Sequence, residues 1–375
     1  MMVTTKWVSA LWVFYSLAVC SRSSVRQSRN LAQMVGLFCT IPLLCLAQSQ
    51  VPAQTESADA NQEQEGSELI TDSKDVSTAN QSVCRYEKDK APDMVIIPPG
   101  KFLMENDKGE SLEAPAHEVT IKEAFALGRC EVTVAEFREF VESVGHVTDA
   151  EKAGGCRTFN KSSLAIQIEG SSWKNPLPEI NSRDEEDTRF DHHPVTCVSF
   201  NDAKAYVAWL NGRLKTTTYH LPSEEEMEYA LRHGGDDYLQ WPADDQPCKW
   251  FNARDLSFGE IVVLATNSSY ECDDGYAFTA PVATFPPNPF GLYDIFGNVY
   301  ELTEECGDEN SSDAVEKGFV VMEENSGGCD TRVLRGGSWM DVTLAVRAPN
   351  LIKANIEEGA SFAGFRLARS LSLPE

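Results

Sequence analysis

Arg335-Gly336-Gly337-Ser338-Trp339 and, 25 residues further on, Gly364-Phe365-Arg366 close the globular part of the chain. Two successive glycines free the backbone to reverse or to approach another strand closely. A serine placed there satisfies a backbone group, and the tryptophan anchors a core or presents a contact face. Residues 341–363 separate the two strings.

Outward from this frame, composition narrows the class. The chain has 375 residues and a formal charge of −26. That balance excludes nucleic acid as the expected partner, because a phosphate backbone needs a cationic face. It suits plain solubility first, and also a cationic partner or a bound divalent metal. Residues 1–49 read as a targeting segment. Apolar runs at 7–20 and 34–47 are each shorter than the ~20 residues of a membrane span. Arg26 and Arg29 precede the second run and small Ala47 and Ser49 follow it, as in a signal peptide. The first run is either an anchor or the product of an upstream start, with Val25 then the true one. Residues 50–90 are rich in Gln, Ser, Glu, Asp and Asn and read as a disordered acidic linker. Residues 91–371 form one domain, with no internal repeat.

Of eleven cysteines, eight lie beyond the targeting segment, an even number that suggests disulfides in an exported chain. Cys248 and Cys272 flank one acidic loop and Cys306 and Cys329 another, so these two pairs are expected. No zinc spacing is present. Strands are expected at 94–98, 119–121 and 125–127. Thr133-Val-Ala-Glu136 and Ser223-Glu-Glu-Glu226 are capping boxes that open helices. Gly145 ends the first of these helices, and another helix is expected over 202–211. Three helices among short strands and long loops give an irregular α+β domain.

Taken in order, several strings resemble the formylglycine-generating enzyme (sulfatase-modifying factor) family. They are Met94-Val-Ile-Ile-Pro-Pro-Gly100, Glu113-Ala-Pro, Glu131-Val-Thr, His193-Pro-Val-Thr, Leu221-Pro-Ser-Glu, Thr279-Ala-Pro-Val282, Gly291-Leu-Tyr-Asp294, Gly297-Asn-Val-Tyr-Glu301, Arg335–Trp339 and Gly364–Arg366. The resemblance implies a C-type-lectin-like α+β fold with little regular secondary structure. It also implies that residues 364–369 lie near the strand at 94–98.

The family's oxidase converts a sulfatase cysteine to formylglycine with O₂, using two cysteines that hold Cu(I) through soft thiolates. The places that resemble them, two and seven residues after Trp339, hold Asp341 and Val346, so copper is not expected. Val342 and Ala345 replace the accompanying histidine and tyrosine. A branch of the family that uses iron carries a His-x3-His-x-Glu motif, which this sequence lacks; His192 and His193 are expected to be structural. The resemblance further implies two structural calcium sites. In the first, Asn252 and Asp274 ligate through side chains and Ala253 and Tyr276 through carbonyls. In the second, Asp294 and Glu301 ligate through side chains and Gly297 and Val299 through carbonyls. Hard oxygen donors of this kind suit Ca²⁺, although an acidic loop is also simply well solvated.

The expected function is that of an exported, non-catalytic accessory or binding protein, periplasmic or extracellular, with a protein or peptide partner that is sulfatase-like or of another kind. Any membrane attachment would run through the N-terminal segment. The candidate binding surface comprises Ser338, Trp339, Asp341 and Arg347, although core is the plainer role for Trp339. The alternative is a formylglycine-generating oxidase or a related oxidoreductase with altered chemistry.

Overall fold

Four helices among the described residues begin where a Ser or Thr hydroxyl accepts an N–H three residues on and a side-chain carboxylate reaches back. Thr133, Thr148, Ser199 and Ser223 each do so, in reciprocal boxes with Glu136, Glu151, Asp202 and Glu226. They open α1 (Val134–Val144), α2 (Asp149–Ala153), α3 (Phe200–Leu214) and α4 (Glu224–Leu231). A fifth helix, α5, spans Leu256–Ile261. Gly145, at φ 66°, caps α1 as expected. The helix expected over 202–211 is longer at both ends, because Ser199 caps it and Lys215 closes it at φ 54°.

The computed structural model describes residues 83–84, 87–88, 90–104, 116–160, 163–183, 188–235, 246–261, 270–306, 329–341 and 346–371. The chain divides into units 1–68 and 69–375, and every described residue belongs to the second. The targeting segment, most of the linker, Glu113-Ala-Pro, Val342 and Ala345 lie outside the described residues.

Two four-stranded sheets organise the domain. The first runs β1 (Met94–Ile97), β4 (Phe125–Gly128), β12 (Ala368–Ser370), β7 (Tyr219–His220), all antiparallel. The second runs β10 (Leu351–Asn355), β9 (Thr331–Arg335), β8 (Tyr300–Cys306), β11 (Ala363–Gly364), with β11 parallel to β8. Hairpins β2 (Gly100–Met104) with β3 (His117–Ile121) and β5 (Arg157–Asn160) with β6 (Ser163–Gln167) complete the strands among the described residues. The closing segment therefore serves both sheets: β11 extends one, and four residues later β12 enters the other. The return of the chain end to its beginning is indirect, since β4 lies between β12 and β1.

The main core packs α1 and α3 against this closing segment. Phe137 meets Phe140, Trp173, Tyr206 and Phe365 at centroid distances of 5.4–6.5 Å. A second core joins β1, β2, β3 and α4 to Leu292, Ile295 and Val346. Disulfides link Cys248 to Cys272 and Cys306 to Cys329, as expected from the sequence. The other four cysteines among the described residues pair as Cys84–Cys130 and Cys156–Cys197.

His193 is buried just ahead of the isolated bridge between Pro194 and Thr133. Its Nδ1 lies 3.0 Å from Thr279 Oγ1, and its ring packs edge-on to Phe190. Burial, reinforced by the Arg183 charge, pushes its pKa down to about 3. The folded pKa lies below the unfolded one, so the unfolded chain binds the extra proton and stability falls as pH drops from 6.5 toward 3. The stability lost between pH 7.5 and 4.5 is expected to be smaller by about 2 kcal/mol in His193→Gln than in wild type, read by denaturant titration.

Candidate functional site

After β9, Gly336 and Gly337 turn the chain with φ of 100° and 80°. A Cβ on Gly336 would stand 3.0 Å from the Ile295 carbonyl oxygen, so the turn presses directly on the 291–301 loop. The Trp339 N–H donates to the Asn298 carbonyl at 2.9 Å, and its indole Nε1 donates to the Ser361 carbonyl at 3.3 Å. Phe159, Phe258 and Phe278 surround the ring, with centroids 5.2–5.8 Å away. Ser338 Oγ donates to Asp341 Oδ2 at 2.6 Å.

These contacts correct the expected binding surface. Ser338, Trp339 and Asp341 are 0, 1 and 7 % exposed. They are buried because the indole fills an aromatic core and the serine and aspartate are turned toward each other. Arg347 alone of the four is partly exposed. Residues 351–368 also do not form a displayed loop: they carry β10, β11 and the buried Gly364-Phe-Arg string.

Asp341 sits in an oxygen-rich enclosure. Its carbonyl accepts the Arg254 N–H at 2.9 Å, and Arg254 Nε donates to the Met340 carbonyl at 2.7 Å. The Tyr300 hydroxyl lies beside the carboxylate and accepts from Asn350 Nδ2 at 3.1 Å. Burial raises the Asp341 pKa to about 6, with Ser338 and Arg254 holding it from going higher. Burial, with Asp341 alongside, pushes the Tyr300 phenol well above its ordinary value. Val346 is 8 % exposed and belongs to the second core. Among the described residues every cysteine is in a disulfide, so none of them offers a thiolate.

The residues of the two implied calcium sets lie back to back. Asn252 is fully buried; its Nδ2 donates to the Phe278 carbonyl at 2.7 Å, and its Oδ1 has no hydrogen-bond partner. Asp274 accepts from the N–H groups of Ala253 and Tyr276 at 3.2 and 2.8 Å. Its pKa is raised to about 8 by burial and by neighbouring Asp255. In the second set Asp294, at φ 52°, accepts from Ala283 N–H at 2.6 Å through Oδ2, while Oδ1 is unpartnered. Burial raises its pKa to about 7. Both Glu301 oxygens are held by Arg366 at 2.5 Å. Gly297 and Val299 lie on the same loop between them.

Unpartnered amide and carboxylate oxygens beside carboxyls with raised pKa are what a hard cation would satisfy. Among the described residues no three His, Cys, Asp or Glu side chains converge as a ready-made metal cage. An ion here would therefore draw on carbonyls and amide oxygens as well, as calcium does.

Sequence reading passed over the residue that joins the sets. Asn298 accepts from Asn252 Nδ2 at 3.2 Å and from Ala280 N–H at 2.9 Å, and donates to Glu131 Oε2 at 2.8 Å. Asn298 and Glu131 both lie inside the strings quoted for the resemblance, but nothing in one sequence marks them as facing each other across 167 residues.

An α+β, C-type-lectin-like domain of short strands and few helices, knit together by the Arg335–Trp339 and Gly364–Arg366 segments, is the class of protein that the fold and these residues define. The chain belongs to the sulfatase-modifying factor family: residues 80–371 match the sulfatase-modifying factor enzyme 1-like domain. It is 35 % identical to the formylglycine-generating enzyme of Mus musculus over 294 residues, which is 73 % of this chain and 74 % of that one. It is 34 % identical to the inactive C-alpha-formylglycine-generating enzyme 2 of Bos taurus over 270 residues, 66 % of this chain and 76 % of that one. Among solved structures, PvdO from Pseudomonas aeruginosa superposes with a TM-score of 0.55 at 30 % identity, covering 76 % of this chain and 96 % of that one.

Proposed function

We propose that this chain is a non-catalytic member of its family, an exported accessory or binding protein on a calcium-stabilised scaffold. The observation that carries the reading is the pair Asp341 and Val346, a hard oxygen donor and a hydrocarbon where the resemblance puts two thiols. Both are buried, and Asp341 is tied to Ser338. Cu(I) needs soft ligands, and the described cysteines are all in disulfides. Relatives named as active and as inactive enzymes match at similar identity, so overall likeness does not choose between the readings.

The four disulfides favour an oxidising compartment, periplasmic or extracellular. Among the described residues no helix is long and apolar enough to cross a membrane. Any membrane attachment would then run through residues 1–49. The open oxygens of Asn252 and Asp294 support structural calcium. A sulfatase-like protein or peptide is the partner class that the family suggests.

Purified protein mixed with a Cys-x-Pro-x-Arg peptide, Cu(I) and O₂ is expected to leave the peptide mass unchanged and to yield no hydrazide-trapped aldehyde. Conversion of the thiol to an aldehyde would establish the oxidase reading instead.

A further inference from the structure

Residues ahead of β1, the link between β4 and α1, and one face each of α1 and α3 line a cavity of about 250 Å³. The stretch ahead of β1 is fastened to that link by the Cys84–Cys130 disulfide and by an ion pair of Asp93 with Arg129 at 2.7 Å. Arg213 of α3 also holds it, donating to the Lys90 carbonyl at 3.2 Å. No residue of the two implied calcium sets or of the Asp341 enclosure lines this cavity.

Its lining is acidic. Glu87, Asp93, Glu131, Glu136 and Glu139 stand there with Lys90 and Arg213, five acids against two bases, a formal balance of −3. Four of the acids are engaged: Glu87 with Lys90, Asp93 with Arg129, Glu139 with Arg213, and Glu136 with the N–H and hydroxyl of Thr133. Glu131 is the exception. It is 2 % exposed, its Oε2 accepts from Asn298 at 2.8 Å, and its Oε1 has no hydrogen-bond partner. Leaving a buried carboxylate oxygen unpaired is unfavourable. Burial raises the Glu131 pKa, and a cation beside it would favour the ionised form.

Size and lining favour an organic cation over a metal ion. The volume is several times the ~30 Å³ share of one water, and just below the ~300–1,000 Å³ of drug-sized sites, so the ligand is small. Among the described residues no three metal-ligating side chains converge. An ammonium needs less, one charged acceptor and a few further oxygens for its three N–H donors. Val83, Pro92, Val132 and Leu367 add hydrocarbon to the lining, against which a short aliphatic stem packs. We propose that this cavity binds a primary ammonium group on a short aliphatic stem, with Glu131 as the carboxylate that receives it. The calcium sets take no part, so binding does not depend on Ca²⁺.

The test is calorimetric titration of pentylamine into the full chain, in excess Ca²⁺ and about 0.15 M NaCl, where exposed charges are screened beyond about 8 Å. One equivalent is expected to bind. Pentanol, the same stem without the charge, is expected to bind at least about tenfold more weakly, because a hydrogen bond to a charged group is worth about 1.5–3 kcal/mol. With pentylamine bound, Nα-acetyl-lysine methylamide separates the sources: its binding points to a lysine side chain, its failure to a free amine. Glu131→Gln keeps an acceptor for Asn298 and removes the charge, and is expected to weaken pentylamine about tenfold or more. If that variant does not accumulate, Ala91→Arg decides. Ala91 is exposed and lines the cavity, so arginine adds a competing cation there without disturbing a buried group, and a similar loss is expected. No binding by wild type overturns the assignment, and so does unchanged affinity in either variant. Binding of pentanol as tight as that of pentylamine overturns it too. So does a titration without defined stoichiometry, which would mean cations merely gathered around a chain of charge −26.

Discussion

Arg366→Leu is expected to leave little or no folded protein. Arg366 is fully buried, and four of the five N–H donors of its fork are engaged. Nε and Nη2 hold Glu301, Nη1 donates to the Gly128 carbonyl at 3.0 Å, and Nη2 also donates to the Tyr293 carbonyl at 3.0 Å. Removing one partner of a buried ion pair costs about 3–5 kcal/mol. Each buried acceptor left unsatisfied adds about 1–3 kcal/mol. Total stabilities of about 5–15 kcal/mol leave little after such losses. Leucine also leaves Glu131, Asp294 and Glu301 facing one another with no side-chain cation among them. Arg366→Lys keeps the charge but not the fork, and is expected to fold with a melting temperature several degrees lower. Soluble yield and circular dichroism melts check both. A leucine variant melting within a few degrees of wild type would show that the carboxylates are neutralised without the guanidinium.

The features legible in the sequence were those whose physics is local. Thr133-Val-Ala-Glu136 and Ser223-Glu-Glu-Glu226 open helices because a hydroxyl and a carboxylate three residues apart each accept the free N–H of the other's residue. The Ser199 box escaped because Asp202 stands where Glu or Gln is the usual signal. The Thr148 box opens a helix of only five residues, too short to show a period. The cysteine pairs flanking single loops were readable for the same local reason, and Cys84–Cys130 and Cys156–Cys197 were not. The misread binding surface has a different cause. A Gly-Gly-Ser-Trp turn between a strand and a loop reads equally well as rim or core from sequence. The three aromatic neighbours that bury Trp339 come from positions 61–180 residues earlier in the chain. Long-range partners such as Arg366 with Glu301, 65 residues apart, or Asn298 with Glu131 are set by strand order, which one sequence does not display.

The back-to-back arrangement of the two implied calcium sets leaves no room for a methyl group at Gly297. Its φ is 74°, and a Cβ there would lie 2.2 Å from the Asn252 carbonyl oxygen and 3.1 Å from its carbon. Those are backbone atoms, so no rotamer change relieves the overlap. The surroundings are also fixed: Gly297 N–H donates to the Gly336 carbonyl at 2.9 Å, and Asn298 N–H donates to the same Asn252 carbonyl at 2.8 Å. Gly297→Ala therefore combines left-handed backbone strain of about 1–2 kcal/mol with a forced separation of the two loops. Gly154→Ala isolates the first effect, since its φ is 80° and nothing lies within 4 Å of the added carbon. Denaturant unfolding is expected to show a loss of about 1 kcal/mol for Gly154→Ala and at least about 3 kcal/mol for Gly297→Ala. Separating the loops also pulls Asn252 away from Asn298, so on the calcium reading proposed above Gly297→Ala is expected to weaken any Ca²⁺ binding at both sets, and Gly154→Ala to leave it unchanged. Equal losses in the two variants would mean that the loops part easily, and that the hydrogen bonds through Asn298 do not hold the sets together.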